Sequence, residues 1–170
     1  MTMRLNAPAG RRQVLAASFL AIAMAGVVGS ALLFEHVGGY IPCKLCLEQR
    51  MPYYIGAPVM IAAALAAALR LPGVVTRGLI LLGALLMTWG LAMGIYHSGV
   101  EWAWWPGPTD CGVVAGAPAG GNLLDSLNTV IPPSCDEAAL RILGLSLAGW
   151  NAIASLILAA IGYRAAFGKA

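Results

Sequence analysis

Apolar residues fall in four long blocks along this chain, at about Arg12–Phe34, Pro52–Leu69, Gly78–Tyr96 and Ile142–Gly162. Each block is near the ~20 residues that a helix needs to cross a ~30 Å hydrocarbon core. No Asp, Glu, Lys or Arg interrupts them apart from Arg12 at the edge of the first. The pattern predicts an all-α membrane protein: a four-helix bundle in one integral membrane domain over 1–170, with polar loops at about 35–51 and 97–141. The second block is the shortest and contains Pro58. The first follows Arg11-Arg12 as a secretory signal would, but its apolar part is about 20 residues, against ~7–15 for a signal. A retained helix is expected there.

Composition agrees with this reading. The chain is 60% hydrophobic and 10% charged, where a soluble domain carries about 25% charged residues. The charges are also sorted. Arg4, Arg11, Arg12, Arg70, Arg77, Arg164 and Lys169 lie on one side of the predicted membrane, with no acidic residue among them. Lys44, Arg50 and Arg141 share the other side with Glu35, Glu48, Glu101, Asp110, Asp125, Asp136 and Glu137. The positive-inside rule then places both termini in the cytoplasm and the two long loops outside, in the periplasm of a bacterium. The net charge of +3 reads as a topology signal and not as a nucleic-acid footprint.

Small residues recur at helical spacing, at Gly26 with Ser30, Gly90 with Gly94 and Gly144 with Ala148, and such positions let membrane helices approach closely. Pro72-Gly73 predicts a tight turn that makes the second and third helices antiparallel neighbours. In the long outer loop, Trp102 to Pro106 reads as an interfacial anchor. Gly112–Gly121 reads as flexible, and Leu123–Val130 as a short amphipathic helix lying on the membrane.

All four cysteines lie on the outer side: Cys43 and Cys46 as a CxxC pair, and Cys111 and Cys135 in the long loop. Exported compartments permit disulfides. Four cysteines allow three pairings, of which 43–46 with 111–135 is the simplest. A helix N-terminus or a nearby cation makes a CxxC thiol reactive, and Arg50 falls on the same face as Cys46 if that turn is helical. Pro52 disfavours helix at Met51, which predicts a short or kinked active turn. Zinc would require two further soft ligands, with the other cysteines, His36 or His97 as candidates. No second CxxC or HxxxH spacing supports this, so no metal site is expected. The glycine-rich filling between Cys111 and Cys135 suggests an exposed, mobile pair open to a protein partner. Its bland alternative is a structural disulfide worth ~3 kcal/mol. Arg50 reads either as an interfacial arginine or as the partner of a thiolate or reduced quinone. His97 reads as an interface residue at the depth of the CxxC turn, placed to meet a bound quinone.

Taken together, Pro42-Cys43-Lys44-Leu45-Cys46, Gln49-Arg50-Met51-Pro52-Tyr53-Tyr54, Gly107-Pro108-Thr109-Asp110-Cys111, Ser134-Cys135-Asp136-Glu137 and Leu145–Asn151 resemble the DsbB family of bacterial inner-membrane proteins. The resemblance implies a protein-dithiol:quinone oxidoreductase. Such an enzyme reoxidises a periplasmic DsbA-like thiol oxidase and passes the electrons to ubiquinone or menaquinone. It implies catalytic roles for Cys43, Cys46, Cys111 and Cys135, with Arg50, Cys46 and His97 on the quinone. Two other readings fit less well. A vitamin K epoxide reductase-type enzyme would carry its CxxC on a late helix, and a scaffold with structural disulfides would tolerate serine in place of cysteine.

Overall fold

The structure, a computed structural model, describes residues 9–109, 111 and 135–168. Four helices carry the chain: α1 (Arg11–His36), α2 (Lys44–Ala68), α3 (Gly73–Glu101) and α4 (Leu147–Phe167). All four are long and apolar enough to span a membrane, and no more than 39% of any span's apolar window is buried inside the protein. The rest faces outward, with side chains such as Ile22 73% exposed. That exposure suits lipid and would be ruinous in water. The protein is a four-span membrane bundle.

The helices pack in a ring, α1 on α2, α2 on α3, α3 on α4 and α4 on α1. Leu20 and Met24 of α1, Tyr53 and Met60 of α2, Ile80 and Met87 of α3 and Leu158 of α4 fill the centre. Gly90 and Gly94 let α3 lie close to α4. A Cβ on Gly94 would come within 2.9 Å of the Ala152 backbone nitrogen, and one on Gly90 within 3.0 Å of Ser155 Oγ. The other two small-residue pairs do not act this way. Gly26 and Ser30 face outward, and Gly144, at φ +83°, lies in a turn before α4.

That turn corrects the start of the fourth helix. Arg141–Ile142 (β1) pairs antiparallel with Leu145–Ser146 (β2), closed by Leu143 and Gly144, both at positive φ. Two consecutive positive-φ residues make the hairpin turn that matches strand twist. Ser146 then caps α4, its Oγ accepting the Gly149 amide at 3.1 Å. Sequence pattern missed this because Ile142, Leu143 and Leu145 extend the apolar block without a break.

At the end of the bundle away from the cysteines, Arg77 is fully buried. Its Nη1 donates to the Ala166 and Gly168 carbonyls at 2.8 Å each, closing the C-terminus of α4. Gln13 of α1 reaches the same region, its Nε2 donating to the Ala165 carbonyl at 3.4 Å. The α2–α3 turn is made by Arg70 rather than by Pro72-Gly73. Arg70 sits at φ 56°, with the Arg70 amide on Ala67 and the Leu71 amide on Ala66, the paired bonds of a left-handed helix cap. Pro72 instead caps α3. Replacing Arg77 with leucine should lower stability by about 3 kcal/mol, since it strands buried carbonyls that a charged donor now satisfies. Denaturant unfolding of the detergent-solubilised protein measures this.

Candidate active site

The CxxC pair sits where α2 begins. Cys43 is the N-cap, and its sulfur accepts the Cys46 backbone amide at 3.1 Å. The Cys46 amide and the positive end of the helix dipole meet that sulfur, an arrangement that stabilises negative charge there. The expected break at Pro52 does not occur: α2 runs unbroken from Lys44 through Pro52 and Pro58. Proline is tolerated inside membrane helices because neighbouring groups satisfy the carbonyls it frees. The continuous helix carries Cys46, Gln49, Arg50 and Tyr53 down adjoining faces.

Both cysteine pairs are disulfides, Cys43–Cys46 with Cα atoms 5.0 Å apart and Cys111–Cys135 with Cα atoms 5.9 Å apart. They belong to one cluster with Leu45 and Val100, against which Met93 packs. The Cys43 and Cys135 sulfurs and a His97 ring nitrogen all lie within 4.8 Å of one another. Those atoms are spaced like a metal ligand set, but both sulfurs are committed to disulfides. The second pair is not exposed, as the glycine-rich filling had suggested. Cys111 is 8% and Cys135 1% accessible, because Val100 at the end of α3 and Leu45 at the start of α2 enclose them. The stretch 112–134, with the surface helix expected at Leu123–Val130, lies outside the described residues.

Cys46 packs against this cluster. It is half-buried and, with Cys43, lines a cavity of about 840 Å³ between α1, α2, the end of α3 and the start of α4. Val27, Val28 and Phe34 give this cavity an apolar wall, and Arg50, Gln49 and His97 give it a polar end. Arg50 does line the cavity, but its guanidinium is held by the Glu35 carboxylate at the end of α1. Sequence reading had left Glu35 without a role.

His97, near the end of α3, is buried between the two disulfides and the cavity. Its Nε2 lies 3.7 Å from Cys43 Sγ and 3.8 Å from Glu101 Oε1. Its Nδ1 is 2.6 Å from Gln49 Nε2. A line of buried polar groups continues from there. Asn151 Nδ2 donates to Gln49 Oε1 at 2.6 Å, Tyr53 OH to Asn151 Oδ1 at 2.6 Å, and Tyr53 OH also meets Ser155 Oγ at 2.7 Å. None of these four had been assigned a role from sequence. Part of their signal was present all the same, as Tyr53, Asn151 and Ser155 are polar residues inside apolar blocks, while Gln49 fell in the expected loop.

The cysteine-bearing end is closed by aromatics. Trp105 folds back on α3, its Nε1 donating to the Tyr96 carbonyl at 2.9 Å. Trp102 carries the Arg141 guanidinium over its ring at 5.4 Å, while Trp102 and Trp104 remain exposed.

Compared with known families, residues 12–164 match the family profile of the disulfide bond formation protein DsbB. No curated protein and no solved structure matches the chain.

Proposed function

The chain belongs to the DsbB family of disulfide oxidoreductases, and on that premise we propose that it takes electrons from a DsbA-like dithiol partner and delivers them to a membrane quinone. The observation that carries this reading is the contact between the two disulfides. Cys43 and Cys135 sulfurs lie within 4.8 Å, while Cys46, the other half of the CxxC pair, lines the cavity. A thiol–disulfide exchange between the pairs then needs only a small approach of two sulfurs already in one cluster.

In this mechanism the partner's thiolate attacks Cys111, the more accessible sulfur of its pair at 8% against 1% for Cys135. The Cys111–Cys135 bond breaks and Cys135 leaves as a thiolate. Cys135 attacks Cys43, forming a Cys43–Cys135 bond and releasing Cys46 as a thiolate on the cavity wall. The partner's second thiol then attacks its own mixed disulfide, so the partner departs oxidised and frees Cys111. Cys111 attacks Cys135, restoring the Cys111–Cys135 bond and expelling Cys43 as a thiolate. Two electrons now rest on Cys43 and Cys46.

The cavity suits a quinone. Its volume, its apolar wall and its polar end of Arg50, Gln49 and His97 are the features of a site for a flat, largely apolar molecule with polar oxygens. A quinone bound there supplies a sink for two electrons and two protons. Arg50 would hold one oxygen with a charged donor, and Glu35 fixes the guanidinium in place. The driving force has to come from that sink, because a partner near about −120 mV is too oxidising for an ordinary disulfide to reoxidise. The cysteine-bearing end would face the periplasm of a bacterial inner membrane, the side opposite the basic residues, with 1–170 forming one membrane domain.

Quinone absorbance measured with purified protein, a reduced thioredoxin-fold dithiol partner and a soluble ubiquinone or menaquinone analogue tests the reading. Partner-dependent reduction should be lost in both Cys46→Ser and Cys111→Ser. No reduction with either analogue would leave a scaffold with structural disulfides. In the same assay, Arg50→Met should raise KM for the quinone about tenfold, the value of a hydrogen bond from a charged group, with KM for the partner unchanged.

A further inference from the structure

The buried hydrogen bonds that end on His97 all point one way. An amide nitrogen can only donate, so Gln49 Nε2, 2.6 Å from His97 Nδ1, makes Nδ1 an acceptor. A neutral imidazole carries one proton, which must then sit on Nε2. What keeps the Gln49 amide in that orientation is Asn151, whose Nδ2 donates to Gln49 Oε1 at 2.6 Å. Asn151 is held in turn by the Tyr53 hydroxyl, which donates to its Oδ1 at 2.6 Å. Having spent its proton there, Tyr53 accepts from Ser155 Oγ at 2.7 Å. Gln49, Tyr53, His97 and Ser155 are buried, and Asn151 is half-buried at the cavity wall.

The free end of this line is His97 Nε2–H, which faces Cys43 Sγ at 3.7 Å with Glu101 Oε1 beside it at 3.8 Å. We propose that Gln49, Asn151 and Tyr53 are positioning residues that lock His97 as its Nε2–H tautomer, so that the ring donates a hydrogen bond to the Cys43 sulfur. The inference rests on the relay proposed above, and it adds a function to His97 apart from any contact with quinone.

The step it serves is the last exchange. When the Cys111 thiolate attacks Cys135, the Cys43–Cys135 bond breaks and its electron pair leaves on Cys43. The Nε2–H is already aimed at that sulfur and stabilises the departing thiolate with no proton transferred. A reduced form stabilised in this way makes a dithiol pair more oxidising. The same lock prevents Nε2 from acting as a base toward a Cys43 thiol, because its lone pair is tied up in the N–H bond. His97 therefore serves as a donor.

Proton–nitrogen NMR of protein labelled with ¹⁵N-histidine, in detergent micelles and oxidised, reads the tautomer directly. The His97 ring should show a protonated Nε2 and a bare Nδ1. A protonated Nδ1 with bare Nε2 would mean that every amide in the line is reversed, and would overturn the proposal. Gln49→Leu should give a mixture of tautomers. Gln49→Glu, which offers Nδ1 an acceptor, should draw a proton onto it.

Equilibration of the Cys43–Cys46 pair against a thiol buffer gives a second reading. Gln49→Leu and Asn151→Leu should each disfavour reduction about tenfold, which is about 30 mV for a two-electron couple. An unchanged equilibrium in variants whose unfolding midpoints match the parent would overturn the role at Cys43. Neither readout depends on turnover. A chain with the expected tautomer but no quinone reduction would defeat the relay and leave the lock standing.

Discussion

Cys135→Ser is expected to lower partner-driven quinone reduction on the order of 10³-fold or more, as removal of one member of a group that acts as a unit does. The Cys135 sulfur lies within 4.8 Å of the Cys43 sulfur. Without it, Cys111 is a lone thiol with no disulfide for the partner's thiolate to open, so no electrons pass inward and the partner stays reduced. The Cys43–Cys46 disulfide is left intact and its face on the cavity is untouched. A small dithiol that enters the cavity should therefore still reduce the pair and sustain quinone reduction. Steady-state assays with the two reductants side by side separate a broken relay from a damaged fold. Full partner-driven turnover in Cys135→Ser would remove Cys135 from the path.

A second large effect is expected where α3 meets α4. Alanine normally gains about 1 kcal/mol over glycine inside a helix, and Gly78, with nothing within 4 Å of its Cβ position, should show that gain. Gly94 should not. Its Cβ would lie 2.9 Å from the Ala152 nitrogen and 3.0 Å from the Ala152 Cα. Those are backbone atoms, which cannot rotate away as a methionine tip can. Overpacking costs about 1–3 kcal/mol, so Gly94→Ala should be destabilised despite its better helix propensity. The change reaches the site as well. His97 lies one turn beyond Gly94, and Asn151 adjoins Ala152, so separating the helices pulls the His97–Gln49–Asn151 line apart. Unfolding midpoints of Gly78→Ala and Gly94→Ala should move in opposite directions.

Much of the architecture was legible because a bilayer imposes simple rules. A span needs an unbroken apolar run, and those runs appear as helices. Element starts were less legible, since the features that fix them are local and polar. The hairpin before α4 depends on Leu143 and Gly144 adopting positive φ, which an apolar pattern hides. The start of α2 depends on a cysteine acting as N-cap, and Pro52 pointed the other way. Within the site, the four cysteines, Arg50 and His97 could be named from motif and resemblance. The meeting of Cys135 with Cys43 was implied by the resemblance alone, and what could not be read was that Arg50 is held by Glu35 from another helix. Of the Gln49–Asn151–Tyr53–Ser155 line, Gln49 fell in an expected loop and the others were isolated polar residues in apolar blocks, and its direction emerges only once α2, α3 and α4 are packed together.

The exchange between the two pairs is tested most directly by trapping it. The protein would be mixed with reduced partner in the absence of quinone, quenched in acid, alkylated, and its disulfide-linked peptides mapped by mass spectrometry. The account predicts a peptide joining Cys43 to Cys135, together with partner attached at Cys111 and Cys46 alkylated. Partner attached at Cys111 with Cys43–Cys46 still intact, and no Cys43–Cys135 peptide at any time point, would contradict it.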